Sequence, residues 1–258
     1  MKAKELTASK SNGRIYTPDY IVDNILDLSG YTQNNLIRKH VIDNSCGDGA
    51  FLTKIVDRYC KQAQIKKYNS AELKRELETY IHGIEIDSVE CEKCIKNVTA
   101  VAMQYGIENV RWDIQCENTL TVKRFNGKMD FVVGNPPYVR VHNLDESLDL
   151  TKTFSFAQDG MTDLYIVFYE IGLKMLNENG VLGYITPSSY FNSLAGSYMR
   201  KTFVSENLVD IIVDLKHFQA FNATTYTEIT ILKKDRTNNT IEYYQFDEKN
   251  HIPYYVET

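Results

Sequence analysis

The run Phe131-Val132-Val133 stops on Gly134-Asn135-Pro136-Pro137-Tyr138, and this junction leaves the chain little conformational freedom. A short unbroken apolar run reads as a strand buried on both faces, the kind found in parallel sheets. Two consecutive prolines donate no backbone N–H and hold φ fixed, so the chain leaves the sheet rigidly, with bare carbonyls. Such an exit falls at the carboxyl end of a strand, where open α/β sheets bind their ligands.

The exit also has a chemical reading. The exocyclic amino group of adenine has its lone pair delocalised into the ring and is a poor nucleophile. The side-chain oxygen of Asn135 and the carbonyl of Pro136 are two acceptors that can take both amino hydrogens. That pulls the nitrogen toward tetrahedral geometry and frees its lone pair for a methyl donor. Tyr138 can stack on an extruded base, as aromatic side chains do. The competing reading is a proline turn that ends a strand beside an incidental tyrosine.

The flanking sequence supplies the sheet. His40-Val41-Ile42-Asp43 reads as a strand running into Asn44-Ser45-Cys46-Gly47-Asp48-Gly49. Glycines at a strand-to-helix turn let backbone approach a ligand closely. Leu52 stands where a dinucleotide fingerprint wants a third glycine, and no P-loop lysine follows, so the turn favours a ligand without phosphates. Two helices fill 53–79, the second, Ser70 to Tyr80, highly charged and expected to face solvent. Tyr80 to Asp87 is a second strand with acids at its end. A carboxylate there, Glu85, can accept both hydroxyls of a ribose, or it can cap the next helix. Asn109 to Ile114 reads as a third strand ending in Asp113, and Met129 to Val133 as the fourth.

Residues 139–161 form a long polar connection, a length that points to a lid or a substrate-closing surface. Asp163 to Asn177 has amphipathic helical spacing. Val181 to Pro187 is a fifth strand, Leu194 to Val204 a helix, Leu208 to Asp214 a sixth strand and Thr225 to Lys233 a seventh. The short link between the last two predicts an antiparallel hairpin, and Ile241 to Phe246 reads as a final edge strand. Before all of this, residues 1–12 read as a flexible arm. Thr17 and Pro18 then read as N-cap and first position of a helix through Leu28, with a stripe of Ile21, Val22, Ile25 and Leu26.

Composition excludes several classes. With 258 residues, 43% of them hydrophobic, the chain can bury one large core or two small ones. No apolar run approaches the ~20 residues of a membrane span, and no signal peptide is expected. Five cysteines form no regular framework and predict a reduced, cytoplasmic protein. Cys91 and Cys94 make half of a zinc site with no second pair, so no metal is expected. A net charge of −5 argues against a wholly basic nucleic-acid-binding surface while allowing a local one.

Taken in order, these segments resemble the motif set of gamma-class N6-adenine DNA methyltransferases of bacterial type II restriction–modification systems. The resemblance covers about residues 13–233. It implies an α/β, Rossmann-like class I S-adenosylmethionine-dependent methyltransferase fold, with a mixed seven-stranded sheet ending in an antiparallel hairpin. Residues 13–258 would form the catalytic domain. Tyr16-Thr17-Pro18 matches the segment that folds over the cofactor. Asp43, Ser45, Cys46, Gly47 and Gly49 match the glycine motif, which differs here from the usual Asp-Pro-Ala-Cys-Gly-Ser-Gly at three positions. Glu85 with Ile86 matches the ribose-binding acid, and Asp113 with Ile114 the acid at the cofactor's adenine. Asn135, Pro136, Pro137 and Tyr138 match the catalytic tetrad unchanged, with Asn135 also beside the cofactor. Asp163-Leu164-Tyr165 matches the helix behind the pocket. Phe221, or as second choice Phe218, matches the ring that stacks on the flipped base opposite Tyr138.

The implied cofactor is S-adenosyl-L-methionine and the implied partner is double-stranded DNA. The family also carries a target-recognition domain after the hairpin. The expectation is therefore a catalytic fragment, or recognition by a partner subunit, with weak nonspecific DNA binding by these residues alone. Glutamine and ribosomal RNA amino methyltransferases share the tetrad, and a non-catalytic subunit of a restriction assembly could keep the cofactor fold. The first lacks the Tyr-Thr-Pro segment, the second usually carries an RNA-binding module, and an intact tetrad argues against the third.

Overall fold

The computed structural model describes residues 16–141, 148–158, 162–216 and 226–258. The proline-stopped strand, β4 (Met129–Gly134), lies inside the sheet. Its neighbours are β1 (Val41–Asp43) and β5 (Leu176–Pro187), both parallel to it. Outside β1 come β2 (Ile81–Glu85) and β3 (Asp113–Cys116), also parallel. On the other side β7 (Thr227–Lys233) runs antiparallel between β5 and β6 (Val209–Asp214). Then come β8 (Glu242–Asp247) and β9 (Ile252–Glu257), giving the order β3-β2-β1-β4-β5-β7-β6-β8-β9.

The sheet has nine strands where seven were expected. The antiparallel pairing of β6 with β7 is as predicted, but this pair does not end the sheet. The expected edge strand is β8, and β9 covers it. Strand β9 escapes pattern reading because it alternates nothing: five of its six residues are exposed. It also carries Pro253, which an edge strand tolerates and an inner one does not.

Alternation does work in the middle of the sheet. Phe131 and Val133 point into one apolar layer and Val132 into the other. The first layer holds α1 (Asp19–Leu28), α2 (Ala50–Ile65) and α4 (Ser88–Gln104), with the charged α3 (Ser70–Tyr80) beside α2. Helix α3 is not purely solvent-facing, since Leu73, Glu76 and Leu77 are buried. The second layer holds α5 (Leu164–Met175) and α6 (Ser197–Ser205). The expected amphipathic helix α5 is buried all round, with 11 of its residues inside. A helix apolar on every side belongs between layers rather than at the surface.

Close packing of α5 on β5 generates a prediction. A Cβ on Gly172 would come within 2.8 Å of the Tyr184 hydroxyl oxygen and 2.5 Å of Leu182 Cδ1. Alanine in a helix interior ordinarily stabilises by about 1 kcal/mol over glycine. Here the collision wins, because an overpacked core costs about 1–3 kcal/mol. Gly172→Ala should lower the midpoint of denaturant unfolding, and a raised midpoint would contradict this packing.

Candidate active site

The carboxyl ends of β1, β2 and β4 open on a cavity of about 480 Å³, within the range of small-ligand sites. Each wall follows from a strand end. After β1 the chain turns through Ser45-Cys46-Gly47-Asp48 into α2, and this turn is pinned across the top of β2. The Cys46 N–H donates to the Ile84 carbonyl at 3.0 Å, and the Gly47 N–H to Glu85 Oε2 at 2.9 Å. Glu85 Oε1 accepts from the Asp87 N–H at 2.9 Å. Asp87, not Glu85, caps α4, accepting from the Val89 and Glu90 N–H groups. Glu85 is therefore oriented by two backbone donors, and lone pairs remain on both oxygens for a diol.

Asp43 lies deepest. It is 2% exposed, and its Oδ1 accepts from the Ser45 N–H at 3.0 Å. Burial pushes its carboxyl up to about 8; the Ser45 N–H opposes the rise and the nearby Glu85 charge adds to it. Gly134, the last residue of β4, presses on this group. A Cβ there would fall 2.7 Å from Asp43 Oδ1, and its φ of +155° is one that side-chain-bearing residues rarely adopt. The glycine before the tetrad is thus required by space as well as by backbone.

Asn135 lines the cavity, and its Nδ2 donates to Thr17 Oγ1 at 3.1 Å. The expected N-cap role of Thr17 is not what the structure contains. Helix α1 begins at Asp19 with Pro18 before it and no side-chain cap. The Thr17 hydroxyl reaches across to the tetrad instead, and Tyr16, 62% exposed, lines the cavity mouth. Pro137 also lines the cavity while Pro136 is buried. Tyr138 lies beside the cavity wall. Its hydroxyl donates to the Ile185 carbonyl of β5 at 3.1 Å, and its ring meets Tyr165 edge-on at 6.3 Å.

Ser45, Cys46 and Gly47 line the cavity, as does the exposed Ile86. Gly49 stands behind the wall as N-cap of α2, backed onto Cys94 of α4. Asp113 and Ile114 are placed differently from expectation. The third strand begins at Asp113 rather than ending there, so this acid lies at the opposite end of the sheet. It accepts from His82 Nδ1 at 2.7 Å and from Gln115 Nε2 at 2.7 Å. The His82 contact holds its carboxyl below the usual carboxylate range. Ile114 is core. The cavity edge assigned to them is filled by Asn118, Thr119 and Leu120, just past the end of β3.

Sequence reasoning also passed over Asn44. It is fully buried, accepts from the Tyr184 hydroxyl at 2.9 Å, and offers its carbonyl to Thr119 Oγ1 at 2.6 Å. An amide next to Asp43 at a strand end was the available signal. Phe221 and Phe218 lie outside the described residues.

The cavity's electrostatics are one-sided. Asp43, Asp48, Glu85, Asp87 and Glu90 line it, and no Lys or Arg does among the described residues. Burial, with the Glu90 charge beside it, also raises the Asp48 carboxyl. Such a site suits a cationic ligand without phosphates. Ser45 Oγ is buried with no hydrogen-bond partner among the described residues, a cost that folding ordinarily avoids. Among the described residues no cluster of three or more His, Cys, Asp or Glu could hold a metal ion, and no helix is long and apolar enough to cross a membrane.

Comparison with known proteins follows the same lines. The chain matches the Eco57I restriction-modification methylase family over residues 26–221. It is 33% identical to the type II methyltransferase M.BstVI of Geobacillus stearothermophilus over 238 residues, 87% of this chain and 42% of that protein. It is 28% identical to the type II methyltransferase M.PaeR7I of Pseudomonas aeruginosa, over 91% of this chain and 43% of that one. The chain thus spans less than half the length of these relatives. The DrdV–DNA complex superimposes with a TM-score of 0.72 at 19% identity, over 95% of this chain and 29% of that chain. The M protein of the type I restriction enzyme EcoKI does so at 0.69 and 17%, over 95% and 53%. A Listeria monocytogenes structure described as that of a putative class I S-adenosylmethionine-dependent methyltransferase gives 0.64 at 18%, over 89% and 65%. These structures share the α/β fold described above.

The buried Asp43 has a measurable consequence. A carboxyl that ionises at 3.8 when unfolded and at about 8 when folded favours the folded state fully below pH 3.8. That contribution is lost as pH rises through the interval, by about 1.4 kcal/mol per unit. Asp43→Asn keeps an oxygen for the Ser45 N–H and removes the ionisation. The variant should gain stability over the native chain progressively from pH 5 to about 8. Parallel unfolding curves at all pH values would show that Asp43 is not held neutral.

Proposed function

The chain belongs to the Eco57I restriction-modification methylase family, and from that premise we propose that it is the catalytic part of a cytoplasmic DNA methyltransferase that methylates N6 of a flipped-out adenine in double-stranded DNA. The observation that carries this reading is the position of Asn135. It lines the acidic cavity, tied by 3.1 Å to the Thr17 hydroxyl, with the ring of Tyr138 following in the chain.

The cavity fits S-adenosylmethionine. Its acidic lining, in which Asp43 is neutral until pH approaches 8, and the lack of Lys or Arg among the described lining residues suit a ligand carrying an ammonium and a sulfonium but no phosphate. Glu85, held by Gly47 and Asp87, is the acceptor for the two ribose hydroxyls. Ile86 and Leu120 offer apolar surface for a purine, and Asn118 a polar edge. Asp43 and Ser45 serve the amino-acid end, with Tyr16 and Thr17 over the opening. The bound cofactor supplies an electrophilic methyl group. Asp113 and Ile114, at the far side of β3, take no part in this scheme.

The protein's own work is positioning. Asn135 Oδ1 and the Pro136 carbonyl accept the two hydrogens of the adenine amino group, so its nitrogen lone pair faces the methyl donor. Holding both reactants in line can supply about 7–11 kcal/mol of the barrier reduction. The rigid di-proline exit keeps Asn135 from relaxing away. Tyr138 gives the extruded base a stacking surface, and Phe221 is the proposed opposite face. No general base is needed before transfer, because the nitrogen loses its proton once it is quaternised. DNA recognition is assigned to a further domain or a partner subunit. M.BstVI and M.PaeR7I are more than twice as long as this chain, and a Mycoplasma pneumoniae relative is named as a methylase subunit.

Direct tests follow from the geometry. Incubation with duplex DNA and labelled S-adenosylmethionine, then nucleoside digestion, should yield N6-methyladenine. Label in protein or RNA instead would refute the DNA assignment. Asn135→Ala should lose at least 100-fold in kcat while cofactor binding falls much less. Tyr138→Phe should keep most activity, because the ring that would stack on the base is retained; Tyr138→Ala should lose the base-stacking surface and most activity. Cofactor binding should also strengthen as pH rises toward 8, since a cationic ligand favours the ionised Asp43. Calorimetry in buffers of different ionisation enthalpy would detect the released proton.

A further inference from the structure

Past the end of β5 the chain makes an exposed apolar turn that the proposed chemistry does not use. Phe191 is 38% exposed, Leu194 70% and Tyr198 45%, and the turn that carries them is built rather than loose. Arg200 Nη1 donates to the carbonyls of Tyr190 and Ser193, the latter at 2.8 Å. A side chain at Gly196 would sit on the Tyr190 carbonyl and the Arg200 guanidinium, so glycine there lets the turn close around the arginine. From below, Phe191 is propped by the Tyr190 ring, stacked at 4.5 Å. Tyr190 is itself buried, with its hydroxyl 3.3 Å from Thr230 Oγ1, which donates to the buried Glu228. Tyr198 rests against Phe156. A preformed turn that holds Leu194 in solvent gains nothing for the fold by exposing it; apolar exposure of this kind marks a contact site.

Its position indicates what it contacts. β5 lies next to β4, with Gly134 opposite Tyr184, so Pro187 reaches two residues past the level of Asn135, where the tetrad begins. Ser189 Oγ is 3.1 Å from the Tyr165 hydroxyl, and Tyr165 meets the Tyr138 ring edge-on. The turn therefore flanks the place where a base must leave its duplex to reach Tyr138. Its charge points the same way. No acidic residue occurs between Glu178 and Glu206, while Arg200 and Lys201 lie within that span of an acidic chain. Among the described residues Arg200 has carbonyl partners and no carboxylate. An apolar tip beside uncompensated positive charge suits DNA, with side chains against base pairs and cations toward phosphates.

We propose that the turn 190–198 is a DNA wedge: Leu194 and Phe191 press on the base step beside the target and offset the cost of unstacking it, while Arg200 and Lys201 face the flanking phosphates. This rests on the methyltransferase reading above and adds the element that extrudes the base.

The test compares the native protein, the Phe191→Ala/Leu194→Ala variant and Leu194→Met. Two duplexes serve, one with the target adenine paired and one with it opposite an abasic site. Methyl transfer and the fluorescence of 2-aminopurine at the target position are read on each. The double variant should lose ten-fold or more on the paired duplex, in both readouts. It should recover most of that loss opposite the abasic site, where less unstacking is needed. Cofactor affinity should be unchanged, melting temperature should fall only by what the Phe191–Tyr190 stacking contributes, and Leu194→Met should behave as native. Equal loss on both duplexes, or no loss, overturns the wedge while leaving the methyltransferase reading intact. A loss that appears only in the presence of a second protein subunit identifies a protein-docking surface and also overturns it. A native protein that methylates neither duplex even when its recognition domain or subunit is supplied refutes the methyltransferase reading and the wedge together.

Discussion

One contact governs the rest of the site: a buried carboxyl with a glycine pressed against it. Asp43 ends β1, Gly134 ends β4, and the two strands are neighbours in the sheet. The room left at Gly134 is filled by Asp43 Oδ1, and the same oxygen holds the Ser45 N–H at 3.0 Å. The turn after β1 and the exit after β4 are therefore placed by a single group. Burying this carboxyl costs folding free energy, since its ionisation is pushed up to about 8. That cost fits a role in ligand binding better than one in stability, because a buried apolar residue would serve the core at less expense.

A second tie runs through α1. Thr17 bonds Asn135, so the helix behind Thr17 must be fixed for the tetrad to be fixed. Exposed ion pairs link α1 to α2, among them Arg58 with Asp23 and Asp27 and Lys54 with Asp19 and Asp23. Pairs of this kind contribute about 0–1 kcal/mol each. Ile21, Val22, Ile25 and Leu26 are fully buried, and each such side chain is worth about 1.5–3 kcal/mol. Packing therefore anchors α1, and the ion pairs trim its orientation. The turn between β8 and β9 adds a brace, with His251 stacked on Tyr20 at 4.3 Å and its carbonyl bonded by Asn24. The outermost hairpin is thereby connected through α1 to the cavity mouth.

The two kinds of proposed ligand need opposite fields, and the chain separates them. Carboxylates concentrate inside the cavity, where a cationic cofactor would lie. The stretch from 179 to 205 carries only positive charge and lies at the adjoining sheet end, where a polyanion would approach. The net charge of −5 opposes attraction of a polyanion to the chain as a whole, so any such contact must be local.

Local chemistry was legible without coordinates. The di-proline exit, the glycine turn and the acid at Glu85 announce themselves because each rests on a residue type whose backbone or side chain has few alternative uses. The alternation of Phe131, Val132 and Val133 between two layers follows from strand geometry alone. Three features were not legible. Asp113 resembled a strand-ending acid, but where a strand starts is set by pairing with β2, and the register puts Asp113 beside His82. Thr17 had the look of a helix cap, yet its hydroxyl is bonded by an amide 118 residues away. β9 has no buried face to impose a pattern. Residue types and their order mark which groups are candidates for the chemistry. Tertiary structure decided which of them meet, because register, strand order and the approach of Gly134 to Asp43 are long-range contacts that no local pattern encodes.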